Sequence, residues 1–372
     1  MLDAMTKRKR TNSAELLLPK LALFLTIFLS CCSCTREPST RVSSKPEPTL
    51  SKPTIGAGST ATSFEQQIPL GLPAYHVSDA NSMTREKVEL GRKLFFDTTL
   101  SVDHSMSCAT CHDPEKGWSN GKRVAVGVNG QPGKRNVPSI VNAAYYRSLF
   151  WDGRAGSLEG QALGPILNEN EMAMPSTQEL VDRLRQHDEY PTLFAKAFPD
   201  GLTATNVARS MACYERTVLA GNSPYDRYVA GDETAMSESA QRGMKLFFDK
   251  RKSKCSICHE PPTFTALFYH NLGVGMDQDD PDLGRYEVTK LESNKGKFKV
   301  PTVRDVKDTS PYMHDGSIAT LEEVVELYDR GGIPNQYLSK EMRGRLNLTK
   351  QEKQDLVTFM AEGLSSDDRP TP

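Results

Sequence analysis

The chain has 372 residues, of which 37% are hydrophobic and 25% charged, with a formal net charge of -1. That length suits two modest domains. The near-neutral balance gives no electrostatic reason to expect a nucleic-acid partner, and none is expected.

The N-terminus reads as an export signal. Lys7, Arg8, Lys9 and Arg10 precede an apolar run from Leu21 to Leu29. That run is shorter than the roughly twenty apolar residues a spanning helix needs. Ser30-Cys31 follows it at once, as in the lipobox of bacterial lipoproteins, so residues 1–31 are expected to be a signal peptide with lipid carried on Cys31. The plainer alternative is an ordinary signal or an uncleaved anchor, with Cys31, Cys32 and Cys34 incidental. Residues 32–63, rich in Ser, Thr, Pro and Lys, are expected to be a flexible tether. Membrane contact is expected through the lipid alone, on the periplasmic or extracytoplasmic side.

Past the tether the chain repeats itself. Gly91-Arg-Lys-Leu-Phe-Phe-Asp97 precedes Cys108-Ala-Thr-Cys111-His112, and Gly243-Met-Lys-Leu-Phe-Phe-Asp249 precedes Cys255-Ser-Ile-Cys258-His259. Thr84 and Ser237 are the expected N-caps of the two copies. Further helices are predicted from Ser176 or Thr177, with Leu180, Val181 and Leu184 on one face, and from Thr203 or Thr205 to about Leu219. Two more open on the capping boxes Thr320/Glu323 and Thr349/Glu352. Strand-like alternation is confined to residues 122–128. The expected class is mainly α: two tandem cytochrome c-like domains with long loops, residues 64–235 and 236–372, related by duplication.

Cys-x-x-Cys-His is the attachment signature of c-type haem. The two thiols bind the haem edge and the imidazole ligates the iron. A redox dithiol or half a zinc site would explain Cys-x-x-Cys alone. The histidine after both copies argues against each, so two covalent haems are predicted. Cys213 is left without a partner, which speaks against a disulfide framework, and it sits in a helical pattern as a packing residue.

Two haems alone would also serve a non-catalytic electron carrier. The stretches Phe150-Trp151-Asp152-Gly153-Arg154, Gln161-Ala-Leu-Gly-Pro165, Asn168-Glu-Asn-Glu171, Pro301-Thr-Val-Arg-Asp-Val and Thr309-Ser-Pro311-Tyr-Met-His314-Asp-Gly together resemble the bacterial di-haem cytochrome c peroxidases and the related MauG-type proteins. The resemblance spans about residues 65–362. It implies that His112 ligates an N-terminal haem where hydrogen peroxide reacts, and that His259 ligates a C-terminal haem that passes electrons to it. Trp151 would lie between the haems, although a large aromatic could also be a core anchor. Glu171 and Gln161 would line the peroxide pocket, the carboxylate moving a proton during O–O cleavage, with Pro165 packed beside them. Asn136, Thr309 and Pro311 would hold one calcium ion through hard oxygen donors.

Two departures point to a subtype. Where the common peroxidases carry a methionine ligand to the second haem, this chain has Tyr328, as MauG-type proteins do. The spacing Leu321, Val324, Val325, Tyr328 sets it on an apolar helix face. The alternative is a core Tyr328 with Met276 or Met313 as ligand. No histidine lies between Asp113 and Phe150 to block the first iron, and His76 and His104 precede the motif. The expected partners are hydrogen peroxide and a small electron donor (a cytochrome c or a cupredoxin), or, as in the methylamine-utilisation branch, a protein that is oxidatively modified.

Overall fold

The structure, a computed structural model, describes residues 62–367; the signal peptide, Cys31 and the tether up to residue 61 lie outside them. In chain order the helices are α1 (Arg85–Phe96), α2 (Cys108–Cys111), α3 (Leu158–Leu167), α4 (Thr177–Arg185), α5 (Tyr190–Ala197), α6 (Ala204–Glu215), α7 (Pro224–Val229), α8 (Glu238–Phe247), α9 (Arg285–Thr289), α10 (Leu321–Asp329) and α11 (Lys350–Thr358). The protein is mainly α-helical, as expected.

The repeated heptapeptide closes two equivalent helices, and its glycine explains how they pack. Thr84 caps α1 by accepting from the Lys87 N–H, and Ser237 caps α8 by accepting from the Ala240 N–H. A Cβ on Gly91 would stand 1.9 Å from the Ser210 carbonyl oxygen of α6. A Cβ on Gly243 would stand 1.9 Å from the Asp355 carbonyl oxygen of α11. Each module thus rests on one close helix crossing that only glycine permits. Four residues on, Phe95 and Phe247 are fully buried at the two crossings.

Two apolar cores result. Leu94, Ile166, Leu180, Leu184, Phe194 and Val207 build the first; Phe247, Phe264, Leu321, Val325, Leu356 and Phe359 build the second. Asp226 of α7 and Arg304 meet in a fully buried bidentate pair at 2.7 and 2.8 Å. Cys213 is buried in α6, with its thiol 3.6 Å from the Asn81 side-chain oxygen, a packing position.

Two expectations are corrected. Residues 122–128 form no strand: Ala125 bonds Arg135 and Gly133, and the chain doubles back through Asn129 and Gly130, both at positive φ. The strands among the described residues are β1 (Tyr269–His270) and β2 (Phe298–Lys299), an antiparallel pair. The helix from Thr203 ends at Glu215, not near Leu219. Asn142 takes up the backbone groups of Val218 and Ala220 and draws the chain out of the helix.

Candidate haem sites

Both Cys-x-x-Cys-His motifs are built alike. α2 carries Cys108 and Cys111, and a short 3-10 turn, Cys255–Ile257, opens the second motif. His112 donates from Nδ1 to the Trp118 carbonyl at 3.1 Å, and His259 from Nδ1 to the Phe264 carbonyl at 3.2 Å. Each bond fixes the tautomer that leaves Nε2 unprotonated, the form a metal takes. Burial lowers both imidazole pKa values, that of His259 to about 4. Trp118 and Phe264 are buried at φ 60° and 52°, and each ring stands 6.0 Å from Phe95 or Phe247 respectively. Left-handed backbone at a bulky residue costs about 1–3 kcal/mol, and here it aims the carbonyl at the imidazole. A donor set of two thiols and one oriented, neutral imidazole fits c-type haem.

The second motif opens on an apolar cavity lined by Cys255, His259, Val303, Leu321, Val325 and Met360. Tyr328 and Met313 are on its wall, and Met276 is not among the lining residues. Burial and the two neighbouring thiols, Cys258 and Cys255, push the Tyr328 pKa up. Trp151 lines the same cavity, donating its indole N–H to the Asn136 carbonyl at 2.8 Å. Phe150, one residue earlier, turns the other way: its ring is 3.2 Å from where a Cβ on Gly164 of α3 would stand.

A further internal repeat accounts for the difference between the modules. Val137-Pro-Ser-Ile-Val-Asn142 corresponds to Val300-Pro-Thr-Val-Arg-Asp305, and Asn142 and Asp305 are both at positive φ. Phe150-Trp-Asp-Gly153 corresponds to Met313-His-Asp-Gly316, each inside an isolated bridge, Leu149 with Ala155 and Tyr312 with Ile318. In this register Pro165 of α3 is the counterpart of Tyr328 of α10. The first module carries a side chain without a donor atom where the second carries a phenol.

Glu171 is brought back over α3 by the Met172 N–H bond to the Pro165 carbonyl at 3.2 Å. It accepts from the Asn168 side chain at 2.8 Å. Burial raises its pKa, with Arg154 opposing, and its charge is felt at both Cys108 and Cys111. Gln161 is half-buried one turn before Pro165, whose missing N–H leaves the Gln161 carbonyl without its helical donor. His76 and His104 are both exposed.

Of the calcium candidates, Asn136 is buried and directs its side-chain nitrogen to the Lys122 and Arg123 carbonyls at 3.0 and 3.2 Å. The amide oxygen is the donor atom that remains. Thr309 lines the second cavity, and Pro311 follows a cis peptide bond.

The family model for di-haem cytochrome c peroxidase matches residues 85–234. The methylamine utilization protein MauG of Methylophilus methylotrophus is 39% identical over 76% of this chain and 83% of its own length. The chain belongs to the di-haem cytochrome c peroxidase family. The cytochrome-c peroxidase IdrP1 of Pseudomonas sp. (strain SCT) is 38% identical over 84% of this chain and 91% of its own. Among solved structures, a MauG-like protein associated with microbial copper homeostasis superposes with TM-score 0.73 at 31% identity, over 82% of this chain and 96% of that one. Membership in this di-haem family implies two c-type haems and an oxidoreductase.

Trp118, Phe264, Gly91 and Gly243 were not singled out as site-forming residues by sequence. The glycines stand inside the repeat, and their identical place in both copies is the signal that could have exposed them. The carbonyl acceptors carry no such signal, because the backbone acts and not the side chain.

Proposed function

We propose that this chain is an exported di-haem peroxidase that reduces hydrogen peroxide, with electrons passing from the C-terminal haem to the N-terminal one, and with tyrosine ligation of the MauG kind. The observation that carries the proposal is the shared wall of the second cavity, where His259, Tyr328 and Trp151 stand together. A bound haem supplies the redox-active iron at each motif. His112 and His259 would hold it through Nε2, with Cys108, Cys111, Cys255 and Cys258 as thioether partners. Glu171, whose carboxylate burial makes a stronger base than an exposed one, would in its ionised form accept a proton from peroxide and return it to the departing oxygen. Gln161 would orient the peroxide, and Pro165 would keep the site free of a protein ligand. Tyr328 would hold the second haem iron together with His259, and Trp151 would lie on the electron route between the modules. One calcium ion would be held by Asn136, Thr309 and Pro311. The two haem domains would meet near residues 235 and 236.

The 39% identity to MauG, joined to Tyr328, favours a second form of the reading, in which the electrons come from a partner protein undergoing oxidative modification. Anchoring through lipid at Cys31 belongs to the same proposal; among the described residues no helix is long and apolar enough to cross a membrane. Pyridine haemochrome with peptide mapping should place one haem on Cys108/Cys111 and one on Cys255/Cys258. Peroxide consumption should then depend on an added reductant, first a reduced cytochrome c. One haem, or no peroxide turnover with any donor, would overturn the proposal.

A further inference from the structure

Lys299 of β2 is 7% exposed and lines the His259 cavity. Burying an ammonium group is expensive unless an anion accompanies it. Among the described residues Lys299 has no carboxylate partner. Its contact is the Tyr146 ring, with Nζ 4.4 Å from the centroid, and burial alone acts on its pKa, lowering it to about 8. The other long cation on that wall, Arg304, is matched by Asp226 at 2.7 Å. The counterpart of Lys299 in the first module is the neutral Asn136, so this unmatched cation belongs to the second cavity alone.

A haem bound in this mainly apolar cavity would bring two carboxylates, either of which would supply the missing anion. We propose that Lys299 is a positioning residue that pairs with a propionate of the second haem and thereby raises that haem's reduction potential. The proposal rests on the reading that a haem attached at Cys255 and Cys258 fills this cavity. The Lys299 ammonium is held over the Tyr146 ring, and the Lys299 backbone N–H donates to the Trp151 carbonyl at 2.7 Å. Neutralising a propionate removes negative charge that favours ferric iron, and in a buried site that charge acts at short range with little screening.

The test uses the full di-haem protein. Haem on the Cys255/Cys258 peptide is measured first, and its absence in the wild type would overturn the underlying reading, separately from the proposal. In Lys299→Met, with both haems present, the reduction equilibrium of the second haem should shift about tenfold toward the ferric form, about 59 mV for one electron. Lys299→Arg should keep the wild-type potential. If Lys299→Met fails to mature, Lys299→Gln, which keeps a donor and loses only the charge, carries the same expectation. The resonance Raman propionate bending modes of the second haem should move in the neutral variants and stay in Lys299→Arg. Unchanged potentials and propionate modes in a mature neutral variant would overturn the proposal.

Discussion

The Trp151 indole N–H donates to the Asn136 carbonyl at 2.8 Å, and the N–H of the same Asn136 donates to the His314 carbonyl at 2.7 Å. Trp151 and His314 are counterparts in the internal repeat, so one residue of the first module fastens equivalent positions of both. Phe150 packs on α3 and Trp151 lines the second cavity. Trp151→Phe removes the hydrogen bond and substitutes a ring that is harder to oxidise. Steady-state peroxide turnover should fall at least tenfold with both haems retained. A variant of full activity would make Trp151 a core anchor only.

Glu171→Gln should slow peroxide consumption by two or more orders of magnitude, in line with the 10²–10⁴-fold range of general acid–base catalysis, while both haem spectra stay near wild type. The pH profile carries a sign. Burial raises the Glu171 pKa, so the wild-type rate should climb as pH passes through a value above the ordinary carboxylate range. That limb should vanish in the variant. A profile shared by both proteins would assign the limb to another group.

The fully ferric protein should react with peroxide without prior reduction. Pro165 stands where the second module carries Tyr328, and no histidine lies between Asp113 and Phe150 to occupy the first iron. Stopped-flow mixing of the ferric protein with peroxide should give an immediate spectral change. A lag removed only by pre-reduction would contradict the prediction.

Much of this was legible in the sequence because it rests on local chemistry. Thr84, Ser237, Thr320 and Thr349 cap helices where their hydroxyls are expected, and side chains at helical spacing, Leu180, Val181 and Leu184 among them, are buried. The duplication was visible as a heptapeptide, although its second part, Val137 to Asn142 against Val300 to Asp305, keeps only a valine–proline pair and escapes a reading by identity. Residues 122–128 alternate like a strand, yet their backbone partners are dictated by a turn at Asn129 and Gly130. Trp118 and Phe264 were beyond reach for a related reason: tertiary packing forces their backbone into the left-handed region, against local preference.

The Arg304–Asp226 pair should be costly to break. Both side chains are almost wholly buried; Asp226 also accepts from Ser223, and Arg304 donates to the Pro262 carbonyl at 2.7 Å. Asp226→Ala leaves a buried guanidinium uncompensated, which costs about 3–5 kcal/mol. The midpoint of helix loss in urea should fall accordingly, and the double variant Asp226→Leu/Arg304→Met should recover a large part of it. Unequal recovery is acceptable; a single variant as stable as wild type is not.

Tyr328, on the wall of the second cavity, is the residue on which the proposed MauG-like ligation rests. If its phenolate ligates the second iron, a hard anionic donor stabilises the ferric state, so that haem should be six-coordinate with a lower potential than methionine ligation gives. Burial and the neighbouring thiols hold the free phenol protonated, so ligation must displace that proton, and haem insertion at the second motif should release it. Tyr328→Met should raise the potential and yield a stable mixed-valence form, because the gap between the two irons widens. Tyr328→Phe should abolish the low-spin ferric signal of the second haem unless another side chain takes over. Met313, on the same wall, is the substitute the cavity offers, so the double variant Tyr328→Phe/Met313→Leu distinguishes a replaced ligand from one that was never tyrosine. EPR and a redox titration read both. If Tyr328→Phe leaves signal and potentials unchanged while Met313→Leu alone moves them, methionine is the ligand, and the electronic division of labour is that of an ordinary di-haem peroxidase.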